Sequence, residues 1–148
     1  MRVQDLIKIK GDAVITVVEN IRTRDAAKVM HDRNVGALVV ITTSGKLKGV
    51  ISEREIVVAV AEYGREALEY PIAGLMLEDR PTVTPTDSVR DAMTIMTEKR
   101  VRHLPVVSEG QVVGLISLGD TVKARLTEKI AENVVLQDMA RWPAPSMA

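Results

Sequence analysis

The chain of 148 residues has no cysteine and no phenylalanine, and its aromatic residues are Tyr63, Tyr70 and Trp142. Without cysteine there is no disulfide, no thiolate metal site and no cysteine nucleophile. Three aromatic side chains are too few for a platform on which single-stranded nucleic acid could stack. Charge of one sign in excess is missing too. Twenty basic residues face twenty acidic ones, so no long-range field gathers phosphate backbones. No apolar run approaches the roughly 18 residues that a membrane span requires. The stretch Met1 to Asp5 meets an acid at once and shows no signal-peptide pattern. A cytoplasmic protein with no nucleic-acid or membrane partner is expected.

Catalytic signatures are equally sparse. Two histidines and no HExxH leave little from which to build a transition-metal site. The glycines occur singly, with neither a P-loop nor a Gly-x-Ser-x-Gly elbow. Pairs such as Glu53/Glu55 or Glu78/Asp79 arise in any chain with this many acids and carry no weight. The expectation is binding without turnover: no enzyme, no catalytic residue, no metal and no catalytic cofactor.

What is present is a duplication. Asp25-Ala26 recurs as Asp91-Ala92, an offset of 66 that also carries Val17, Arg24, Met30, Val35, Leu38 and Val40 onto Val83, Arg90, Met96, Val101, Leu104 and Val106. One deletion later, Gly49, Ile51, Ser52 and Val57 meet Gly114, Ile116, Ser117 and Val122. Units of about 50 residues are small to fold alone, whereas a pair can bury one shared core and create two related clefts about a pseudo-two-fold axis. With 46% apolar residues that core is large and, lacking Phe, aliphatic.

The pattern within each copy reads β-α-β-β-α. Val14 to Val18 and Thr82 to Thr84 are short β-rich stretches, the second stopped by Pro85. Val89, Ala92, Met93 and Met96 then fall at i, i+3, i+4 and i+7, one face of a helix, with Thr86 or Asp87 as its N-cap. Ala37–Ile41 with Leu47–Ile51, and Leu104–Val107 with Val112–Ile116, flank short turns that contain Gly45 and Gly110, the mark of a hairpin. Each hairpin ends at a serine that opens a second helix, Ser52-Glu53-Arg54-Glu55 and Ser117-Leu118-Gly119-Asp120. The organisation is repeat 1 with a helical prelude over 3–62, a linker over 63–78 with a short helix near Glu66–Glu69, and repeat 2 over 79–126. A C-terminal helix over 127–140 and a frayed tail over 141–148 follow. On the last helix Val122, Leu126, Ile130, Val134 and Met139 face inward or toward a partner.

These signatures resemble the cystathionine-β-synthase (CBS) domain family. The residues that carry the likeness are Val101-Arg102-His103-Leu104-Pro105-Val106-Val107 with Gly114-Leu115-Ile116-Ser117-Leu118-Gly119-Asp120 in repeat 2. In repeat 1 they are Val35-Gly36-Ala37-Leu38-Val39-Val40 with Gly49-Val50-Ile51-Ser52-Glu53-Arg54-Glu55. The resemblance spans about residues 3–125 and implies a stand-alone α/β (α+β) CBS pair, its sheets packed together and its helices outside. It implies an adenosine-containing regulatory ligand (AMP, ADP, ATP, NAD(H) or S-adenosylmethionine) and association of two pairs into a flat homodimer.

By the same likeness, a cleft A holds Ser117 and Asp120 with Leu115 beneath, and Ala13, Ile15, Val35 and Gly36 wall the adenine. Its mate, cleft B, holds Ser52 and Glu55 with Val50, facing Asp79, Pro81, Thr82 and Val101. A carboxylate can accept from both hydroxyls of a ribose, and a helix N-terminus favours the phosphate. Arg54 stands beside cleft B, while Arg102 and His103 near the pseudo-axis reach phosphates from either cleft. Glu55 departs from the family's Asp by one methylene and puts ribose binding at B in doubt. Ser-x-x-Glu is also a capping box, in which the acid serves only its own helix. Two functional readings stay open: an adenine-nucleotide sensor, or a structural and interaction protein that dimerises with vestigial clefts.

Overall fold

The computed structural model describes residues 1–11 and 14–141. The order of elements is α1 (Val3–Lys10), β1 (Thr16–Val18), α2 (Thr23–Arg33), β2 (Ala37–Ile41), β3 (Leu47–Ser52) and α3 (Glu53–Tyr63). Two 3-10 turns follow, Gly64–Glu69 and Ile72–Gly74, then α4 (Val89–Lys99), β4 (His103–Ser108), β5 (Gln111–Ser117) and α5 (Leu118–Arg141). In repeat 1 β1 pairs parallel with β2, and β2 pairs antiparallel with β3. The crossover through α2 makes the first pairing parallel, and the turn at Gly45 (φ 86°) makes the second a hairpin.

Repeat 2 keeps the β4–β5 hairpin but not the first strand. Thr82 to Thr84 contributes a single parallel bridge, Val83 to Val106, in place of the expected strand. Pro81 and Pro85 flank it, and neither has an N–H for a ladder. The N-cap of α4 is Ser88, whose hydroxyl accepts from the Asp91 N–H at 2.9 Å, rather than Thr86 or Asp87. The Asp87 carboxylate is engaged by the Thr84 N–H at 2.8 Å, in a turn of its own.

Instead of one shared core, two apolar clusters form, and each is completed by the segment that leads into the other repeat. Helix α1 precedes repeat 1, yet its Val3 and Leu6 pack with Val83, Met96, Leu104 and Ile116 of repeat 2. Ile72 and Met76 precede repeat 2, yet they pack with Ala26, Leu38, Val40 and Ile51 of repeat 1. Backbone bonds fasten both exchanges: Val3 N–H to Asp87 O at 2.8 Å on one side, Ile72 N–H to Ile21 O at 2.9 Å on the other. Burying each segment under the opposite half ties the two units into one cooperative body, which neither small core could sustain alone.

Gly49 and Gly114 admit these crossing segments. A Cβ on Gly49 would stand 2.7 Å from the Leu77 carbonyl oxygen, and one on Gly114 would stand 2.8 Å from Ile7 Cδ1. Val39 and Val50 point away from Leu38 and Ile51 by strand alternation and are fully buried too. Both faces of the first sheet are therefore covered, as the packing of two sheets against each other requires.

Candidate functional site

Two cavities open where the repeats meet. Cleft A, about 460 Å³, is walled by Ile15, Val35 and Gly36 of repeat 1 and by Leu115, Ser117 and Asp120 of repeat 2. Ala13 lies outside the described residues. Cleft B, about 810 Å³, is walled by Ser52, Arg54 and Glu55 of repeat 1 and by Val101, Arg102 and His103 of repeat 2. His103 lines both. Arg102 lines cleft B and a shallow groove along α5, not cleft A. Val50 is fully buried, and Pro81, Thr82 and Asp79 stay off the walls of cleft B. Arg80 takes their place on that wall.

Each acid sits at the third position of its helix, within reach of the serine that starts it. In cleft A the Ser117 N–H donates to Asp120 Oδ2 at 2.9 Å, and the Asp120 N–H donates to Ser117 Oγ at 3.0 Å. This reciprocal pair is a capping box built with Asp. The same Oδ2 accepts from Lys10 Nζ at 2.9 Å, and Lys10 also donates to the Leu115 carbonyl at 3.0 Å. Both contacts fall on one oxygen, and Oδ1 makes no hydrogen bond among the described residues. Burial pushes the Asp120 carboxyl up. The hydrogen bonds from Lys10 and Ser117, with the charge of Lys10, outweigh burial and hold it below the usual carboxylate range. The group is thus an ionised acceptor with one open edge, beside an ammonium at the mouth.

Cleft B resolves the same motif differently. Glu55 Oε1 accepts from the Ser52 N–H at 3.3 Å and from Arg80 Nη2 at 3.1 Å, while the Ser52 hydroxyl donates to Oε2 at 2.6 Å. The Arg80 and Glu55 side chains are only 8% and 11% exposed, against 35% and 26% for Lys10 and Asp120. Burial pulls the Arg80 guanidinium down and Glu55 opposes it, and a guanidinium stays charged under such a balance. At His103 between the clefts, burial lowers the imidazole's pKa. Arg80 and Lys10 push the same way, against Glu55 and Asp120.

Lys10 and Arg80 are charged partners of the two acids that the motifs do not reveal. Both come from the segments that lead into a repeat, and their partners lie far along the chain. Extending the repeat offset backward marks Arg80 as the counterpart of Val14, a charged residue replacing an apolar one.

Comparison with known proteins bears on the family and the fold. The CBS domain family profile matches residues 5–62 and 72–127. The CBS domain-containing protein CBSX3, mitochondrial, of Arabidopsis thaliana is 34% identical over 85% of this chain; the alignment spans 65% of that protein's length. Among solved structures, the CBS-domain containing protein ATU1752 from Agrobacterium tumefaciens is 36% identical with a TM-score of 0.80, covering 84% of this chain and 92% of its own. The CBS domain protein PAE2072 from Pyrobaculum aerophilum, complexed with AMP, is 28% identical with a TM-score of 0.73, covering 81% of this chain and 89% of its own. Two matched repeats that exchange their leading segments and leave a serine-acid pair at each seam are thus a tandem of CBS domains, and the chain belongs to the CBS domain family.

Proposed function

We propose that this CBS pair is a sensor that binds an adenine nucleotide, AMP, ADP, ATP or NAD(H), in cleft A without turnover. The observation that carries the reading is Asp120. Its carboxylate is ionised and fixed by its own helix, leaves Oδ1 uncommitted among the described residues, and faces the apolar wall of Ile15 and Val35 across the seam. A ribose diol placed on that carboxylate sets the base against the aliphatic wall and the phosphate near the start of α5 and Lys10, where positive charge favours an anion. The bound AMP of the Pyrobaculum relative supports the same ligand class. Because the ligand would touch both repeats, its occupancy biases their relative packing, which is how a binding module reports adenylate levels.

The proposal includes a homodimer in the cytoplasm. Val57 and Val60 on α3, with Val122, Leu126, Ile130 and Val134 on α5, are exposed apolar side chains, and a second copy would cover them. No helix among the described residues is long and apolar enough to cross a membrane.

Calorimetry with AMP, ADP, ATP and NADH tests the ligand. Asp120→Ala is expected to abolish the heat of whichever binds, and silence from all four at millimolar concentration would end the reading. Light scattering on wild type and Leu126→Glu tests the dimer, the variant being expected at half the mass.

A further inference from the structure

Helix α5 outruns the repeat it belongs to. The family profile ends at residue 127, and the helix continues to Arg141, a further rise of about 20 Å at 1.5 Å per residue. Every described residue from Lys129 onward is exposed. Ile130, Val134, Val135, Leu136 and Met139 on this arm are each at least half exposed. A helix this short is marginal in water without packing, and large apolar side chains left open together mark a contact surface.

The first turns of the same helix offer a surface that fits such an arm. A shallow groove of about 510 Å³ runs beside them, with Leu118, Val122 and Leu126 as its apolar lining. Arg102 and Lys123 give it positive charge, and no acid lines it among the described residues. The arm carries Asp138 one turn beyond Val134. Groove and arm lie on one continuous helix, so an arm cannot fold back into the groove of its own chain. A second copy supplies a groove for each arm and an arm for each groove in a single symmetric contact.

We propose that two copies exchange these arms: the two α5 helices pair antiparallel about a two-fold axis at Ile130, and the last turns of each lie in the groove of the other. Residues equidistant from the axis then meet. Ile130 faces its own equivalent, Leu126 faces Val134 in both directions, and Lys123 comes beside Asp138. Leu126, Ile130 and Val134 fall within about 80° of one another around the helix, so they form one stripe of three apolar layers with an ion pair at either end. A stable association engages about 20–30 residues a side. The exposed valines of α3 with Val122 and Leu126 are too few without the arm. The arrangement rests on the homodimer proposed above and gives it a register.

The chain has no cysteine, so a single introduced thiol reports on one position. A disulfide forms only where the two Cα atoms approach within about 7 Å. Under mild oxidation of the full chain Ile130→Cys should link into a covalent dimer, and Val135→Cys, about 140° further round the helix, should not. Asp138→Lys should weaken the dimer about threefold to tenfold in a light-scattering dilution series, and adding Lys123→Asp should restore it. All four side chains are exposed, so folding should survive. A wild type that stays monomeric at every concentration would overturn the homodimer and the exchange together. A dimeric wild type would overturn the exchange alone in either of two cases: Ile130→Cys links no better than Val135→Cys, or Asp138→Lys leaves the dimer unchanged.

Discussion

Cleft A and cleft B begin from one motif and end as different chemistry. In A the acid is short, caps its helix through one oxygen and meets a lysine from α1 that is about a third exposed. In B the acid is longer by a methylene and both its oxygens are engaged, one of them by a buried arginine at the start of repeat 2. An acid with an open edge can serve a ligand; an acid locked in an ion pair serves the fold. Duplication supplied two equivalent seams, and substitutions at a handful of positions gave one seam a carboxylate with an open edge and the other a buried ion pair.

The sharpest way to break that contrast is Arg80→Met. It strands Glu55 as an uncompensated charge in a site that is 11% exposed, and should cost about 3–5 kcal/mol in urea denaturation. Glu55→Met combined with Arg80→Met should recover most of the loss, less the helix cap that Glu55 provides. A single variant as mild as a surface substitution would show that the pair is solvated and that the clefts are alike.

The second comparison is between the glycines that admit the crossing segments. Gly49→Ala places a methyl against a backbone carbonyl that strand pairing holds in place, since Leu77 exchanges both backbone bonds with Val50. It should destabilise by about 1–3 kcal/mol, the cost of overpacking. Gly114→Ala meets only the end of the Ile7 side chain, which can turn aside, so it should cost less. Equal penalties would mean that the two exchanges are equally rigid.

These contrasts divide what the sequence displays from what it hides. Repeat units, hairpins and helix faces are legible because they follow short periods: Ala26 and Met30 on α2, like Ala92 and Met96 on α4, are buried where a period of 3.6 puts them. The serine-acid pairs are legible because three residues separate their members. Lys10 with Asp120, and Arg80 with Glu55, are pairings across the fold that no local pattern encodes. They depend on which half each leading segment packs against. The expectation of a single core failed for the same reason, since α1 and Ile72 each choose the distant repeat. The first strand of repeat 2 shrank to a bridge because its flanking prolines outweigh the β propensity of Thr82 to Thr84.

Lys10→Met sharpens the comparison from the other side. The Lys10–Asp120 pair is about a third exposed, so its removal should cost no more than about 1 kcal/mol. If cleft A binds a phosphorylated nucleoside, the same variant should weaken AMP more than adenosine, because only AMP presents an anion to the ammonium. Equal weakening would mean that Lys10 shapes the cleft without meeting the phosphate.

The smallest effect should come from His103, which borders both seams. Its folded-state pKa lies below that of an unfolded histidine, through burial first and then through Arg80 and Lys10. Between the folded and unfolded pKa values the unfolded chain binds a proton that the native chain refuses, so stability rises with pH across that window. Acidification below about pH 6.5, the ordinary histidine value, should therefore erode stability, until the folded imidazole itself titrates and the erosion stops. His103→Asn should flatten the melting temperature in that window. Asp120, held low in the folded state, adds its own loss only at more acidic pH, as the carboxylate takes up its proton. If the variant and wild type kept the same slope near pH 6, the imidazole would be titrating as it does in water, and the two charged pairs would not meet at His103.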